Sequence, residues 1–213
     1  MGNRMPFCDR VRLQRTLLTI CRSLLVVLLL ASFGCAKAGD QSSTDSNEET
    51  ATVTYGMAGK PVDVVVSRQA IESTPTAPVL DSPEQAIRSY LAWVSFAYRT
   101  ARPDVAAATM TEAEQVRVDA YCQYNIQTKG RLIDQQLKTI SFDEVSGDSM
   151  RMTVSATEEW SYTYVSISEP EKRPGKVIAG PHTARYESLY TLVKREAGWV
   201  VDSVKPTPLG EVK

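Results

Sequence analysis

The residues of this chain that could do chemistry lie on one predicted β-strand, residues 150–164. Glu158 falls between Ala156 and Trp160 at alternate positions of that strand, a pattern that places one face on a core and the other in water. A carboxylate on the inner face could act as a general acid or base, and phenols on the same face could donate hydrogen bonds to a developing negative charge. The candidate pocket residues are therefore Glu158, Trp160, Tyr162, Tyr164, Tyr186 and Tyr190.

A structural interpretation of the same residues competes with the chemical one and is favoured by the residue types. Tyrosine and tryptophan are common in strands and pair across antiparallel neighbours, and hairpin registers centred on the loops predict Trp160 near Tyr190. Glu158 could pair with an arginine such as Arg88, or lie at an open rim. Because nothing supplies a second catalytic partner at a diagnostic spacing, we expect no catalytic residues.

Metal and cofactor chemistry have little support in the sequence. His182 is the single histidine, which excludes a multi-histidine metal site. Its position at the start of a predicted strand suggests an exposed residue. The chain has no C-x-x-C pair, no glycine-rich phosphate loop and no serine nucleophile elbow. Cys122, in a helical segment, is expected to be a small buried apolar residue. We expect neither metal nor cofactor.

The N-terminal segment carries a targeting signal. An apolar run over residues 24–33 follows five arginines and stops at Gly34 and Cys35, the build of a secretory signal and too short to span a membrane. The exit, residues 31–35, resembles the lipobox of bacterial lipoproteins, whose cysteine is acylated and becomes the mature N-terminus. An uncleaved anchor with an incidental cysteine is the alternative interpretation.

The lipobox resemblance implies a signal peptide over residues 1–34, a palmitate-type anchor on Cys35 and an extracytoplasmic location in a bacterial cell envelope. Ala36, rather than aspartate, follows the cysteine and implies the outer membrane if the host has one. The chain holds 24 basic and 25 acidic residues; without the five arginines and one aspartate of the signal, 19 and 24 remain, a formal charge of −5. That balance argues against a nucleic-acid partner.

The predicted elements start after a flexible acidic tether, residues 35–50, which lacks large apolar side chains after its cysteine. Residues 51–81 are expected to form a hairpin or an extended arm. Capping boxes at Ser82 and Thr111 predict the starts of two helices, and Pro103 opens a short helix between them.

The helix from Thr111 is expected to be long. Its inward positions would be Val116, Ala120, Tyr124, Leu132 and Ile133, with Gly130 as a weak point.

Beyond residue 137 the apolar period changes from helical to two, which predicts four strands. The expected strands cover residues 137–145, 150–164, 182–195 and 199–205. A loop over residues 169–181 separates the middle pair, and Pro206 and Pro208 are expected to end the last strand, leaving residues 207–213 as a tail.

Three helices followed by an antiparallel meander, closed by Gly198-Trp199-Val200-Val201-Asp202, resemble the nuclear-transport-factor-2-like fold. The match covers residues 82–206 and implies an α+β cone: three N-terminal helices packed on a curved four-stranded antiparallel sheet. The segment Glu158-Glu159-Trp160 before Tyr162 and Tyr164 is similar to the intermembrane-space-type branch found in chloroplast division proteins.

The resemblance leaves several functions open, because this fold hosts isomerases, dehydratases, carriers and adaptors. We expect a non-catalytic binding or interaction domain that takes an envelope protein, a cell-wall fragment or a small amphipathic ligand. The first alternative is an isomerase or dehydratase with Glu158 as general base and tyrosines as donors. The second is a structural spacer whose cone is filled by its own side chains.

Overall fold

The computed structural model describes residues 50–55, 62–167 and 176–211, all within the unit that spans Ser46–Lys213. The predicted signal peptide, the lipobox cysteine and nearly all of the tether lie outside the described residues. Within the part of the chain that the structure describes, no helix has the length and apolar character needed to cross a membrane.

The segment preceding the first predicted helix contains a two-stranded hairpin. Strand β1 (Thr50–Tyr55) pairs antiparallel with β2 (Val62–Ser67), and a short helix α1 (Arg68–Glu72) follows. The hairpin contributes two valines of β2 to a small apolar cluster. This cluster consists of Val64, Val66, Ala101, Cys122, Ile126 and Leu132. Cys122 is a free thiol buried in this cluster.

The first long helix, α2 (Pro83–Thr100), begins where the capping box predicts. The Ser82 hydroxyl accepts a hydrogen bond of 3.3 Å from the backbone N–H of Gln85, which satisfies one of the unpaired donors of the first turn. The helix ends at Ala101, whose φ of 55° is left-handed. A 3-10 helix (Pro103–Thr109) follows.

Helix α3 (Glu112–Gln123) is shorter than the sequence predicts, and the long-helix prediction is wrong. A single π-helical turn (Tyr124–Thr128) continues it. Gly130 then takes a φ of +60°, a left-handed conformation that glycine adopts at little cost and that commonly ends a helix.

The error affects all five predicted inward positions. Leu132 and Ile133 are buried, but in a strand that begins at Arg131 rather than in a helix. Val116 is 67% exposed, Tyr124 is 45% exposed and Ala120 is also exposed, so none of these three belongs to the core.

Four strands form one antiparallel sheet in the order β3-β4-β5-β6, which confirms the predicted α+β class. Their bounds are Arg131–Gly147, Arg151–Ser166, Val177–Arg195 and Gly198–Glu211. Along β4 the even-numbered residues from Val154 to Trp160 are buried and the odd-numbered residues are not, as the alternation predicts.

The strands are longer than predicted at several ends. Strand β5 starts at Val177, inside the predicted loop. Strand β6 continues through Pro206 and Pro208, which pair with Ser188 and Tyr186, so the expectation that these prolines end it is wrong. A strand at the edge of a sheet tolerates proline because its outward N–H groups need no partner.

The main core lies between α2, the 3-10 helix and the inner face of the sheet. Its deepest members are Ile87 on the helix and Val154, Tyr190 and Val201 on the strands, each with no exposed surface. Trp160 is also buried there, as the alternation along β4 predicts, and so is Trp199. This packing fixes α2 over the sheet and sets the position of the candidate site.

Candidate functional site

A cavity of about 480 Å³, open to solvent, lies between α2, α3 and the inner sheet face. That volume falls within the range of small-molecule sites. All six predicted candidate residues line it. The lining is rich in aromatic rings, contributed by Tyr90, Tyr98, Tyr121, Trp160, Tyr162, Tyr164, Tyr186 and Tyr190.

Glu158 lies in the wall of this cavity and is only 4% exposed. The indole Nε1 of Trp160 donates a hydrogen bond of 2.7 Å to Oε2, and the hydroxyl of Tyr190 donates to Oε1. Each carboxylate oxygen therefore has one neutral donor. The guanidinium carbon of Arg88 lies 5.1 Å from the centre of the Phe142 ring rather than beside Glu158. The predictions that Glu158 pairs with Arg88 or lies exposed at a rim are therefore both wrong.

The predicted register between β4 and β5 is also wrong. Trp160 pairs with Ala184, while Tyr190 pairs with Val154. The cause is the early start of β5 together with irregular pairing around Tyr164. Tyr190 nevertheless reaches Glu158.

The contact between Tyr190 and Glu158 depends on two small residues. Ala156 and Ser188 form the cross-strand pair that lies between Glu158 and Tyr190, and both are buried. Because their side chains are short, the longer glutamate and tyrosine side chains can meet above them.

A second buried carboxylate, Glu114 on α3, lines the cavity, and sequence reasoning missed it as a site residue. The hydroxyl of Tyr90 donates to its Oε1 at 2.8 Å, and Arg117 donates to its Oε2 at 2.8 Å. In the sequence, Glu114 stands three residues after Thr111, where a capping box accounts for a glutamate. The box is half formed, because the backbone N–H of Thr111 donates to Val201 instead.

The two carboxylates are linked through their tyrosine donors. The rings of Tyr90 and Tyr190 meet edge to face with their centroids 6.4 Å apart. Burial, followed by the charge of Glu114, raises the pKa of Tyr90 well above its usual value. Burial and then the charge of Glu158 do the same for the pKa of Tyr190. Both phenols therefore stay protonated and keep donating.

The outer part of the aromatic wall contains a ring cluster. Tyr162 contacts Tyr164 at 5.7 Å between centroids, and the His182 ring lies 5.5 Å from that of Tyr162. His182 is half-buried in this cluster, so its predicted exposure is only partial. Arg131 places its guanidinium carbon 3.6 Å from the centre of the Tyr164 ring, a close cation–π contact.

The chemistry open to the site follows from these donors and acceptors. Across residues 50–55, 62–167 and 176–211, no group of three or more histidine, cysteine or carboxylate side chains is arranged to hold a metal ion. Each Glu158 oxygen retains lone-pair capacity beyond its one donor. The phenolic protons of Tyr90 and Tyr190, by contrast, are already committed to carboxylates.

Comparison with known proteins gives little. No protein-family model and no curated protein matches this chain. One solved structure with weak similarity is the crystal structure of the intermembrane space region of chloroplast protein ARC6. It is 17% identical, covers 59% of this chain and 93% of that chain, and gives a TM-score of 0.46. With a TM-score below 0.5, this similarity carries no inference about fold or function.

Proposed function

We propose that this protein is a lipid-anchored, extracytoplasmic domain that binds a small amphipathic ligand in the aromatic cavity without transforming it. The observation that supports the proposal best is the cavity itself, which is large enough for a small molecule and combines ring surfaces with a few polar groups. Such a mixture is the usual composition of ligand sites.

The anchor in this proposal rests on the sequence. A charged start, a short apolar run and the Gly34-Cys35 exit support lipidation at Cys35. Stable anchoring needs more than one acyl chain, since each buried methylene contributes about 0.8 kcal/mol. A domain held this way would meet ligands at the outer surface of a membrane.

The finer architecture, a nuclear-transport-factor-2-like cone with three helices inside a curved sheet, belongs to the same proposal. Register shifts occur in each of the three strand pairs, for example between Leu137 and Thr139 and between Thr191 and Leu192. Bulges bend strands and increase their twist, which supports a sheet that curves around α2.

An enzyme is the second candidate, because Glu158 lines an open cavity and is hydrogen-bonded to a tyrosine. Two features weigh against it. Both oxygens of Glu158 already accept hydrogen bonds, from Trp160 and Tyr190, so the carboxylate has a structural role in the cavity wall. The hydroxyls of Tyr90 and Tyr190 already donate to Glu114 and Glu158. Neither phenol can therefore stabilise an oxyanion without breaking its present hydrogen bond.

A purely structural spacer receives the least support. That interpretation expects the cone to be filled by its own side chains, whereas about 480 Å³ beside Glu158 is unfilled. A spacer has no need of a solvent-open cavity lined by a buried carboxylate and aromatic rings.

A thermal-shift screen of the protein against sterols, lipids and muropeptides tests the proposal. Glu158→Gln keeps the shape of the cavity, and Glu159→Gln is the matched control because Glu159 lies on the opposite face of β4. We expect a compound that stabilises the wild type and Glu159→Gln, loses its effect in Glu158→Gln, and is recovered unchanged by mass spectrometry. A recovered product would favour the enzyme, and no stabilisation by any compound would contradict ligand binding.

A further inference from the structure

The charges of the side chains that line the cavity do not balance. Its lining includes two carboxylates, Glu114 and Glu158, and one guanidinium, that of Arg117. Arg117 is paired with Glu114 at 2.8 Å. Among the residues that the structure describes, no lysine, arginine or histidine forms an ion pair with Glu158.

A buried carboxylate without a cation is costly, even when neutral donors satisfy its oxygens. Trp160 and Tyr190 supply hydrogen bonds to Glu158 but no positive charge. Because Glu158 borders a solvent-open cavity, a positively charged ligand could provide the missing charge.

The rings around the cavity favour the same kind of ligand. The faces of tyrosine and tryptophan rings carry negative electrostatic potential and attract cations, above all alkylated ammonium groups. One wall ring already holds a cation, since the Arg131 guanidinium lies 3.6 Å from the centre of Tyr164. Burial also raises the pKa of Tyr98 and Tyr121, which keeps these phenols uncharged.

An inorganic cation fits the site less well. Divalent ions need several oxygen ligands, and the described part of the chain offers no cluster of three or more ligating side chains. An ammonium group carrying alkyl substituents needs one carboxylate and several ring faces instead, which matches the cavity wall.

We infer that the ligand of this cavity is an organic cation: a substituted ammonium group lies beside Glu158 among the tyrosine rings, and its apolar body fills the remaining space. The inference rests on the proposed function and narrows it to one chemical class. Choline and its neutral isostere 3,3-dimethylbutan-1-ol share size and shape and differ in charge. Comparing their affinities therefore tests the cation inference separately from the proposed ligand binding.

Isothermal titration of the wild-type protein with both compounds tests the inference. We expect choline to bind more tightly than the alcohol by about tenfold or more, because only choline carries a charge that the carboxylate and the ring faces attract. Glu158→Gln should remove most of the difference, and Glu159→Gln should keep it. The isostere pair on the wild-type protein decides the matter even if Glu158→Gln does not fold.

The outcomes are distinguishable from those of the screen. Equal affinities for choline and the alcohol would overturn the cation inference while leaving a ligand-binding cavity in place. Failure of choline to bind would overturn it as well, and neutral compounds found in the screen would then define the ligand class. Retention of the full choline preference in a folded Glu158→Gln protein would also contradict the role given to Glu158.

Discussion

The ring of Tyr90 on α2 meets the ring of Tyr190 on β5 edge to face, 6.4 Å apart. Each phenol donates to a different buried carboxylate, Tyr90 to Glu114 and Tyr190 to Glu158. Helix and sheet are thus joined by one polar network at the wall of the cavity. Because every member is buried, removing a single donor should leave an acceptor unsatisfied.

Substitution Tyr90→Phe should destabilise the protein by about 1–3 kcal/mol, because Oε1 of Glu114 loses its donor in a buried site. Urea unfolding followed by circular dichroism measures the change. Tyr124→Phe is the control, since Tyr124 is 45% exposed and its hydroxyl should contribute less than about 0.5 kcal/mol. Equal effects of the two substitutions would show that the Tyr90–Glu114 bond does not stabilise the fold.

The core assignment predicts a large difference between two apolar truncations. Trp199→Ala should lower the free energy of unfolding by about 3–5 kcal/mol, because Trp199 is only 8% exposed and packs in the main core cluster. Val116→Ala, at a position 67% exposed, should change stability by less than about 0.5 kcal/mol. Denaturant unfolding of both variants checks this, and a substantial cost at Val116 would indicate that α3 is packed differently.

The sequence predicts the inner face of β4 well because alternation over many residues has one simple cause, burial of every second side chain. Glu158 and Trp160 were placed correctly on this basis. The helix starts at Ser82 and Thr111 were also predictable, since a capping hydroxyl acts within one turn. Local chemistry was sufficient for these features.

Features that depend on distant partners were not predictable. Leu132 joined a strand because β4 pairs with it, although its spacing suits a helix. Pro206 stayed in β6 because that strand is the edge of the sheet. Glu114 lies at the cavity, where Tyr90, 24 positions earlier in the sequence, donates to it. In the sequence alone, the capping box at Thr111 is sufficient reason for a glutamate at this position.

Stability should fall at alkaline pH. Burial raises the pKa of Cys122 from 9.0 to about 12, and burial raises the pKa of Tyr98 still further. As the pH rises above about 9, the unfolded chain releases these protons while the folded chain keeps them, so the free energy of the unfolded state falls relative to that of the folded state.

Urea unfolding between about pH 7 and pH 11 measures this alkaline loss. Cys122→Ala should be less stable at neutral pH, since it leaves a small cavity, yet it should lose stability less steeply above pH 9. Constant or rising stability of the wild type over this range would contradict the burial of these groups.

Lipidation predicts that Cys35→Ser changes both the mass and the location of the protein. The wild type should partition with membranes, incorporate labelled palmitate and lack residues 1–34, whereas the variant should keep its signal and take up no label. Intact-mass analysis of both forms provides the measurement. Unchanged size and membrane partition in Cys35→Ser would contradict the lipid anchor.

A ligand bound beside Glu158 should perturb the indole of Trp160, so the indole N–H resonances of the tryptophans report directly on binding at this site. Trp160 donates to Glu158 at 2.7 Å, whereas Trp93 donates to the Thr76 carbonyl at 3.2 Å, away from the cavity. In ¹⁵N-resolved NMR spectra, titration with choline or with the best compound from the screen should shift the Trp160 indole signal and leave that of Trp93 unchanged. Stabilisation by a compound that leaves the Trp160 signal in place would contradict binding beside Glu158, because the ligand would then bind elsewhere.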